Sequence, residues 1–447
     1  MVDQQSFRPL GWFGIIRLGL VQAALGAIVI LTTSTLNRVM VVELALAASL
    51  PGALVGWHYA VQLSRPRWGY GSDVGGARTP WIIGGMIVLA LGGILAAVAT
   101  LVMASLLWTG VALAVLAFFI IGLGVGAAGT NQLALLATQT DPSRKAAAAA
   151  LVWIMMIFGF VLTAGIAGAM LDPFSLERLV WVVALVSGVA VIVTVAALFG
   201  LERRRTKPLP QAPSAMDFKA AFAEVWAERQ ARDFTIFVFV SMLAYSFQDL
   251  VLEPFAGLVY GYTPGESTAL AGTQNGGVLI GMIVTAIAGT VIGKSRASFM
   301  RMWTVGGCFA SAIALLGLCA AAAVGPAWPL QPTVFALGLA NGAFAVAAIG
   351  SMMALASAGA QGREGTRMGL WGAAQAIAFG LGGLLGAGAL DVMRLVFGEL
   401  SPAFVSIFAI EAVVFLAAAA LALKVGRSAG DDRMIPAMPS TELLAAE

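Results

Sequence analysis

Histidine occurs once in this chain, at His58, cysteine occurs twice, and only 11% of the 447 residues are charged. Each scarcity excludes something. A single imidazole leaves the serine, cysteine and carboxylate groups without a histidine partner for nucleophilic catalysis. It also removes the His-rich ligand sets on which many zinc sites are built. No Gly-rich phosphate loop is present. Enzymatic activity is therefore not expected. Cys308 and Cys319 fall in one predicted helix, about 16 Å apart at 1.5 Å per residue. They cannot pair with each other and say nothing about redox compartment. The net charge is only +3, and the basic residues sit in short loops. That is the pattern that orients a membrane protein, not a nucleic-acid footprint.

What fills the chain instead is apolar: 60% of residues are hydrophobic and the mean hydropathy is +0.94. The excess comes as separate runs of roughly 20 residues, long enough to cross about 30 Å of hydrocarbon as helices. Period-2 alternation of the outer-membrane barrel kind is absent. The first run is too long for a signal-peptide core and no A-x-A cleavage pattern follows it, so it reads as a retained span. Twelve spans fit: 12–35, 44–64, 80–103, 105–129, 146–170, 178–200, 233–256, 269–293, 302–324, 332–357, 368–393 and 402–424. With the N-terminus in the cytoplasm, all 25 basic residues except Arg17, Arg38, Arg178 and Arg394 fall on the cytoplasmic side. The positive-inside rule supports that orientation, with both termini cytoplasmic.

These spans divide the chain into an N-terminal six-helix bundle over 1–200, a linker over 201–232, a C-terminal six-helix bundle over 233–425 and a tail over 426–447. The linker begins basic and Pro-rich. It then places Phe218, Phe222, Val225 and Trp226 at helical spacing among charges, which predicts an amphipathic helix on the membrane surface. Six spans, a cytoplasmic linker and six spans resemble the plan of the major facilitator superfamily. The loop "RWGYGSDVGGARTPW" adds Gly69, Asp73, Gly76 and Arg78 in a G-x-x-x-D-x-x-G-x-R pattern. It resembles that superfamily's cytoplasmic loop signature, although Val74 and Ala77 stand where basic residues are common. The expected role of Asp73 is to hold the inner ends of the bundles together through the start of span 11, with Arg363 and Arg367 as partners. The bland alternative is an ordinary glycine-rich loop.

If span 7 repeats span 1, "TLNRVMVVEL" (35–44) aligns with "SFQDLVLEPF" (246–255). Asn37 then meets Gln248, and Arg38 meets Asp249, near the outer ends of both helices. Asp249 and Glu253 share a helix face at i and i+4, where like charges repel unless something neutralises them. The expectation is an extracytoplasmic latch in which Arg38 pairs with Asp249 and Glu253 while Asn37 and Gln248 complete the hydrogen bonds. The alternative is a wet helix end with Arg38 solvated nearby. Span 4 lacks an R-x-x-Q-G arginine and span 5 lacks a Gly-Pro signature. Glu411, in span 12, is either a functional acid or a protonated, lipid-interface glutamate. The cleft reads as apolar with a few amides, among them Gln22, Asn131, Gln132, Asn341 and Gln375, which suits a large greasy ligand.

"NRVMVVEL" (37–44), "QDLVLEPFAG" (248–257) and "GLWGAAQAIAFGLGG" (369–383) resemble the PucC/LhaA family, over nearly the whole chain. These are light-harvesting complex assembly proteins of purple phototrophic bacteria, described as a bacteriochlorophyll-delivery branch of the major facilitators. The stretch 58–81 is most similar to a paralogue encoded near bacteriochlorophyll synthesis genes. The resemblance implies bacteriochlorophyll as a non-covalent ligand and the intracytoplasmic photosynthetic membrane as location. It implies antenna polypeptides, the reaction centre–antenna complex and bacteriochlorophyll synthase as partners. No catalytic residues carry over. Magnesium in such a pigment needs an axial ligand, and neutral imidazole is a good one. His58, flanked by Trp57 and Tyr59, is the expected pigment site. The alternative is an interfacial histidine in an aromatic belt.

Overall fold

The computed structural model describes residues 9–64, 77–141, 144–202, 226–291, 296–358 and 364–431. These form helices, with no strand among the described residues. We number the twelve helical spans in chain order. The N-terminal set is α1 (Trp12–Glu43), α2 (Ser49–Val61), α3 (Thr79–Met103), α4 (Leu107–Gln139), α5 (Lys145–Leu171) and α6 (Leu176–Leu198). The C-terminal set is α7 (Arg229–Asp249, continued by Leu252–Tyr260), α8 (Pro264–Val291), α9 (Arg296–Val324), α10 (Leu330–Ala358), α11 (Glu364–Phe397) and α12 (Leu400–Asp431). We call the end where α1 starts the near face and the end where it finishes the far face. Eleven of these spans are long and apolar enough to cross a membrane. The other is α2, which with the 3₁₀ turn Gln62–Ser64 is shorter than hydropathy suggests.

Two departures from the expected boundaries have physical causes. Hydropathy ends the first span at residue 35, where polar residues begin, yet α1 continues to Glu43. It does so through two π-helical turns, Leu31–Thr35 and Val39–Glu43, on either side of Arg38. Polar side chains do not end a helix in apolar surroundings when other helices supply their partners. The seventh span breaks at Leu250 and Val251. Pro254 has no N–H to donate, and its ring clashes with the carbonyl four residues earlier, that of Leu250.

Buried apolar side chains gather into two large cores, one made almost wholly from α1–α6 and one from α7–α12. The exceptions lie at the crossing: Leu250 joins the first core, while Val41 and Ala48 join the second. In the second core Phe255 packs on Phe404 and Phe408, with ring centroids 5.0 and 5.1 Å away.

The bundles meet along two seams, α2 with α11 and α5 with α8. Toward the far face these seams are lined by small residues. A Cβ on Gly52 would come within 2.8 Å of the Ala387 Cβ, and one on Gly168 within 2.8 Å of the Gly265 carbonyl. Further toward the near face the fillers are bulky. Tyr59 stacks on Phe379 with centroids 5.9 Å apart, and Ile157, Val278 and Met282 form a small cluster of their own. Small residues let backbones approach and large ones hold them apart, so both seams are tightest toward the far face.

Within the first bundle, α3 and α4 pack backbone to backbone: a Cβ on Gly124 would lie 2.5 Å from the Leu89 nitrogen. Gly124→Ala should cost about 1–3 kcal/mol through overpacking. It should lower the thermal midpoint in detergent, whereas Gly188→Ala, with nothing near its Cβ, should leave the midpoint in place.

Candidate functional site at the bundle interface

The far ends of α1 and α7 are joined by a set of polar contacts. The Ser34 hydroxyl donates to the Glu253 carboxylate, and the Thr35 and Thr268 hydroxyls are 3.1 Å apart. The Asn37 amide donates to the Leu250 carbonyl at 2.9 Å. That carbonyl is the one Pro254 leaves without its helical donor. The Arg38 Nη2 donates at 2.5 Å to the Tyr262 carbonyl. Gly261, in the left-handed region with φ of 70°, turns the chain to bring that carbonyl there. The guanidinium lies over Gly257, where a Cβ would stand 3.0 Å from Nη2.

This is a latch, but not the expected one. Arg38 forms its ion pair with Glu43, at 2.5 Å, and not with Asp249 or Glu253. The cause is the π turn between them, whose i→i+5 register sets residues five apart over one another. Asn37 bonds a backbone carbonyl, not Gln248. Gln248 is fully buried with both polar atoms unpartnered among the described residues. Asp249 is partly buried and makes no ion pair among the described residues. Glu411 is 0% exposed with neither oxygen partnered, so it lies in the bundle interior and not at a lipid interface. Glu253 is 1% exposed, which removes the wet-helix-end alternative.

Two aspartates complete the far face, and sequence reasoning missed both. Asp391, late in α11, accepts from the backbone N–H groups of Ala48 at 2.9 Å and Ser49 at 2.7 Å. It caps the start of α2 from the opposite bundle. Asp172, at the end of α5, lies against Gly265 in the first turn of α8. Each seam thus ends with an acid of one bundle at a helix N-terminus of the other, where the helix dipole favours negative charge. Their signal in sequence was only an acidic residue at an outer span end.

At the near face, Glu202 accepts from the backbone N–H groups of Arg78 (2.7 Å) and Thr79 (2.6 Å), capping α3 from the end of α6. The Arg78 guanidinium donates to the Thr138 hydroxyl at 3.0 Å. Gly69, Asp73, Gly76, Arg363 and the 218–225 part of the amphipathic segment lie outside the described residues, as does the Arg367 side chain.

His58 and Tyr59 lie together, with ring centroids 4.2 Å apart, whereas Trp57 turns away from them. Trp57 is 42% exposed and stacks on Phe119 across α4. His58 is buried, with Nδ1 2.9 Å from the Val55 carbonyl and its backbone against Gly122. Tyr59 turns to Phe379 in the α2–α11 seam.

Asn341 accepts from the Ser311 hydroxyl at 2.7 Å through its oxygen, whereas three amides of the N-terminal bundle are tied through nitrogen. Gln22 donates to the Met156 sulfur at 3.2 Å, Gln132 to the Leu18 carbonyl at 2.7 Å, and Asn131 to the Ala127 carbonyl at 2.8 Å. In all three the side-chain oxygen is buried and unpartnered.

The PUCC protein family model matches residues 35–430. Over 430 residues the chain is 53% identical to the "Bacteriochlorophyll synthase 44.5 kDa chain" of Rhodobacter capsulatus, covering 95% of this chain and 98% of that one. It is 29% identical to Protein PucC of the same organism, with 93% of each chain covered. Among solved structures it is similar to the peptide transporter POT in complex with sulfate, with a TM-score of 0.69, 16% identity and coverage of 96% and 99%. A bacterial homolog of the human lysosomal transporter Spinster gives a TM-score of 0.66 at 18% identity, with coverage of 95% and 98%. At those identities the likeness shows the fold alone, that of twelve-helix transporters of the major facilitator type.

With Cys308 and Cys319 replaced by alanine, Thr35→Cys and Thr268→Cys should cross-link readily, since the two hydroxyls are 3.1 Å apart. Asp391→Ala removes a cap worth about 1 kcal/mol, which should reduce cross-linking roughly fivefold. Arg38→Ala, which strips both the Tyr262 and Glu43 contacts, should reduce it further. Unchanged yields in both variants would mean that these residues do not hold the far face closed.

Proposed function

The chain belongs to the PUCC protein family, and from that premise we propose that it binds bacteriochlorophyll and delivers it to light-harvesting antenna polypeptides during their assembly. It is a multi-pass membrane protein with a major facilitator fold. The observation that carries the reading is the 53% identity, over nearly the full length of both chains, to a protein named for bacteriochlorophyll synthesis. We read that name as context and not as catalysis: the proposed role is to hold and hand over a pigment made elsewhere.

The geometry supports this reading in two ways. First, the seams are tightest toward the far face, which leaves the near side as the way in and out for a cargo. We place the near face and both termini in the cytoplasm of the inner, photosynthetic membrane, because basic residues concentrate on that side. Second, the N-terminal bundle carries amides with unpartnered oxygens, set among methionines and aromatics, which suit a large apolar ring with a cation at its centre. Antenna polypeptides, the reaction centre–antenna complex and bacteriochlorophyll synthase are the proposed partners, as recipients and source of that cargo.

Purification of the full chain in mild detergent from pigment-producing cells tests this directly. The expected result is a bacteriochlorin absorption band eluting with the protein, together with antenna polypeptides. Colourless protein that still captures antenna polypeptides would leave only a scaffold. Colourless protein with saturable flux of a soluble compound in vesicles would make it a transporter.

A further inference from the structure

An amide oxygen buried in a bundle without a donor bears a desolvation cost that nothing in the protein offsets. Gln22 and Gln132 carry two such oxygens within one region of the N-terminal bundle. Their orientation is fixed by their partners. The Met156 thioether and the Leu18 carbonyl are acceptors, so each amide must turn its nitrogen to them and leave its oxygen free. The two are neighbours: Gln132 of α4 binds the Leu18 carbonyl, one helical turn before Gln22 on α1, and helical side chains lean back toward the N-terminus. From Trp12, Leu18 lies about 9 Å and Gln22 about 15 Å along the axis. Both levels lie toward the near face, away from the tightest part of the seams. The adjoining face of α5 carries Trp153, Met156 and Phe160, at i, i+3 and i+7. They pack around the small cluster at the α5–α8 seam.

Two unpartnered acceptor oxygens suit a cationic centre of the hard, oxygen-seeking kind, carried on an apolar and planar frame. We infer, resting on the pigment-delivery reading, that the Gln22 Oε1 is the axial ligand to the magnesium of the cargo bacteriochlorin, with Gln132 positioning it. Gln132 pins α4 to the turn of α1 that carries the ligand, and its own oxygen adds a second negative dipole end beside the metal. Trp153, Met156 and Phe160 supply apolar and aromatic surface for the macrocycle. His58 is engaged elsewhere, its Nδ1 at the Val55 carbonyl and its ring against Tyr59.

The test compares full-length wild type with Gln22→Leu, Gln22→His and Gln132→Leu, each purified from pigment-producing cells and read by absorption and resonance Raman spectroscopy. Protein yield and size-exclusion profile check folding. Gln22→Leu should lose pigment severalfold at unchanged yield. Gln22→His should keep the pigment but displace its long-wavelength band and its axial-ligand Raman marker, since an imidazole nitrogen replaces an amide oxygen. Gln132→Leu should lower occupancy without displacing the band. If Gln22→Leu and Gln22→His both match a pigmented wild type in content and spectrum, the two oxygens hold only water. Delivery would then stand and this inference would fall. A wild type that carries no bacteriochlorin overturns the delivery reading and this assignment together.

Discussion

A backbone carbonyl inside an apolar bundle must be given a donor, and Pro254 withholds one from Leu250. Much of the far face follows from that deficit. The break it forces in α7 frees the Leu250 carbonyl, which the Asn37 amide reaches from the other bundle. The same break re-aims the helix that follows. Phe255 enters the aromatic core with Phe404 and Phe408, Glu253 turns to Ser34, and Gly257 passes beneath the Arg38 guanidinium. Without the proline, the i→i+4 ladder would satisfy Leu250 locally and Asn37 would be a buried amide with no purpose.

The far face is therefore closed by many small terms. Each neutral hydrogen bond contributes about 0.5–1.5 kcal/mol net, and each cap by Asp391 about the same order. Most of these groups lie close to a helix end, where water can replace the protein partner as the bundles part. The glycine- and alanine-lined parts of the seams below them present little side chain to disengage, and Leu250, Val41 and Ala48 are the apolar groups that cross. A closure made of apolar knobs would expose hydrocarbon on opening. One made of caps, hydroxyls and a freed carbonyl exposes groups that water accepts. The chemistry of the far face is that of a junction built to release.

How much of this was legible in the sequence depends on the range of the interaction. The spans, the bundle division and the basic asymmetry are local or cumulative signals, and helices follow the apolar runs closely from α3 onward except in α4, which runs ten residues past its expected end at 129 to Gln139. The polar run 34–38 and its counterpart at 248–253 were legible as a junction, because uncompensated polar groups among apolar residues need a partner. The partners themselves were not. Arg38 and Glu43 are five apart, a spacing that faces nothing on an α-helix and becomes a pair only in a π turn. Asp391 meets Ala48 and Ser49 from more than 300 residues away, which leaves no local trace. Of Trp57, His58 and Tyr59, the last two stay together and Trp57 turns away to Phe119. Consecutive helical residues are about 100° apart at 3.6 per turn, so three in a row cannot line one pocket wall.

The two bundles share a fold but not an interior. In the first, the unpartnered side-chain atoms on α1 and α4 are the amide oxygens of Gln22, Asn37, Asn131 and Gln132, together with Arg38 Nε and the Thr130 hydroxyl. In the second they include both oxygens of Glu411, both polar atoms of Gln248 and the Asn341 nitrogen. The first half thus presents mainly neutral amide oxygens, and the second mixes donors with carboxyl oxygens. The asymmetry is one of ligand type: neutral dipoles line α1 and α4, whereas the C-terminal bundle buries a carboxyl group with neither oxygen bonded among the described residues.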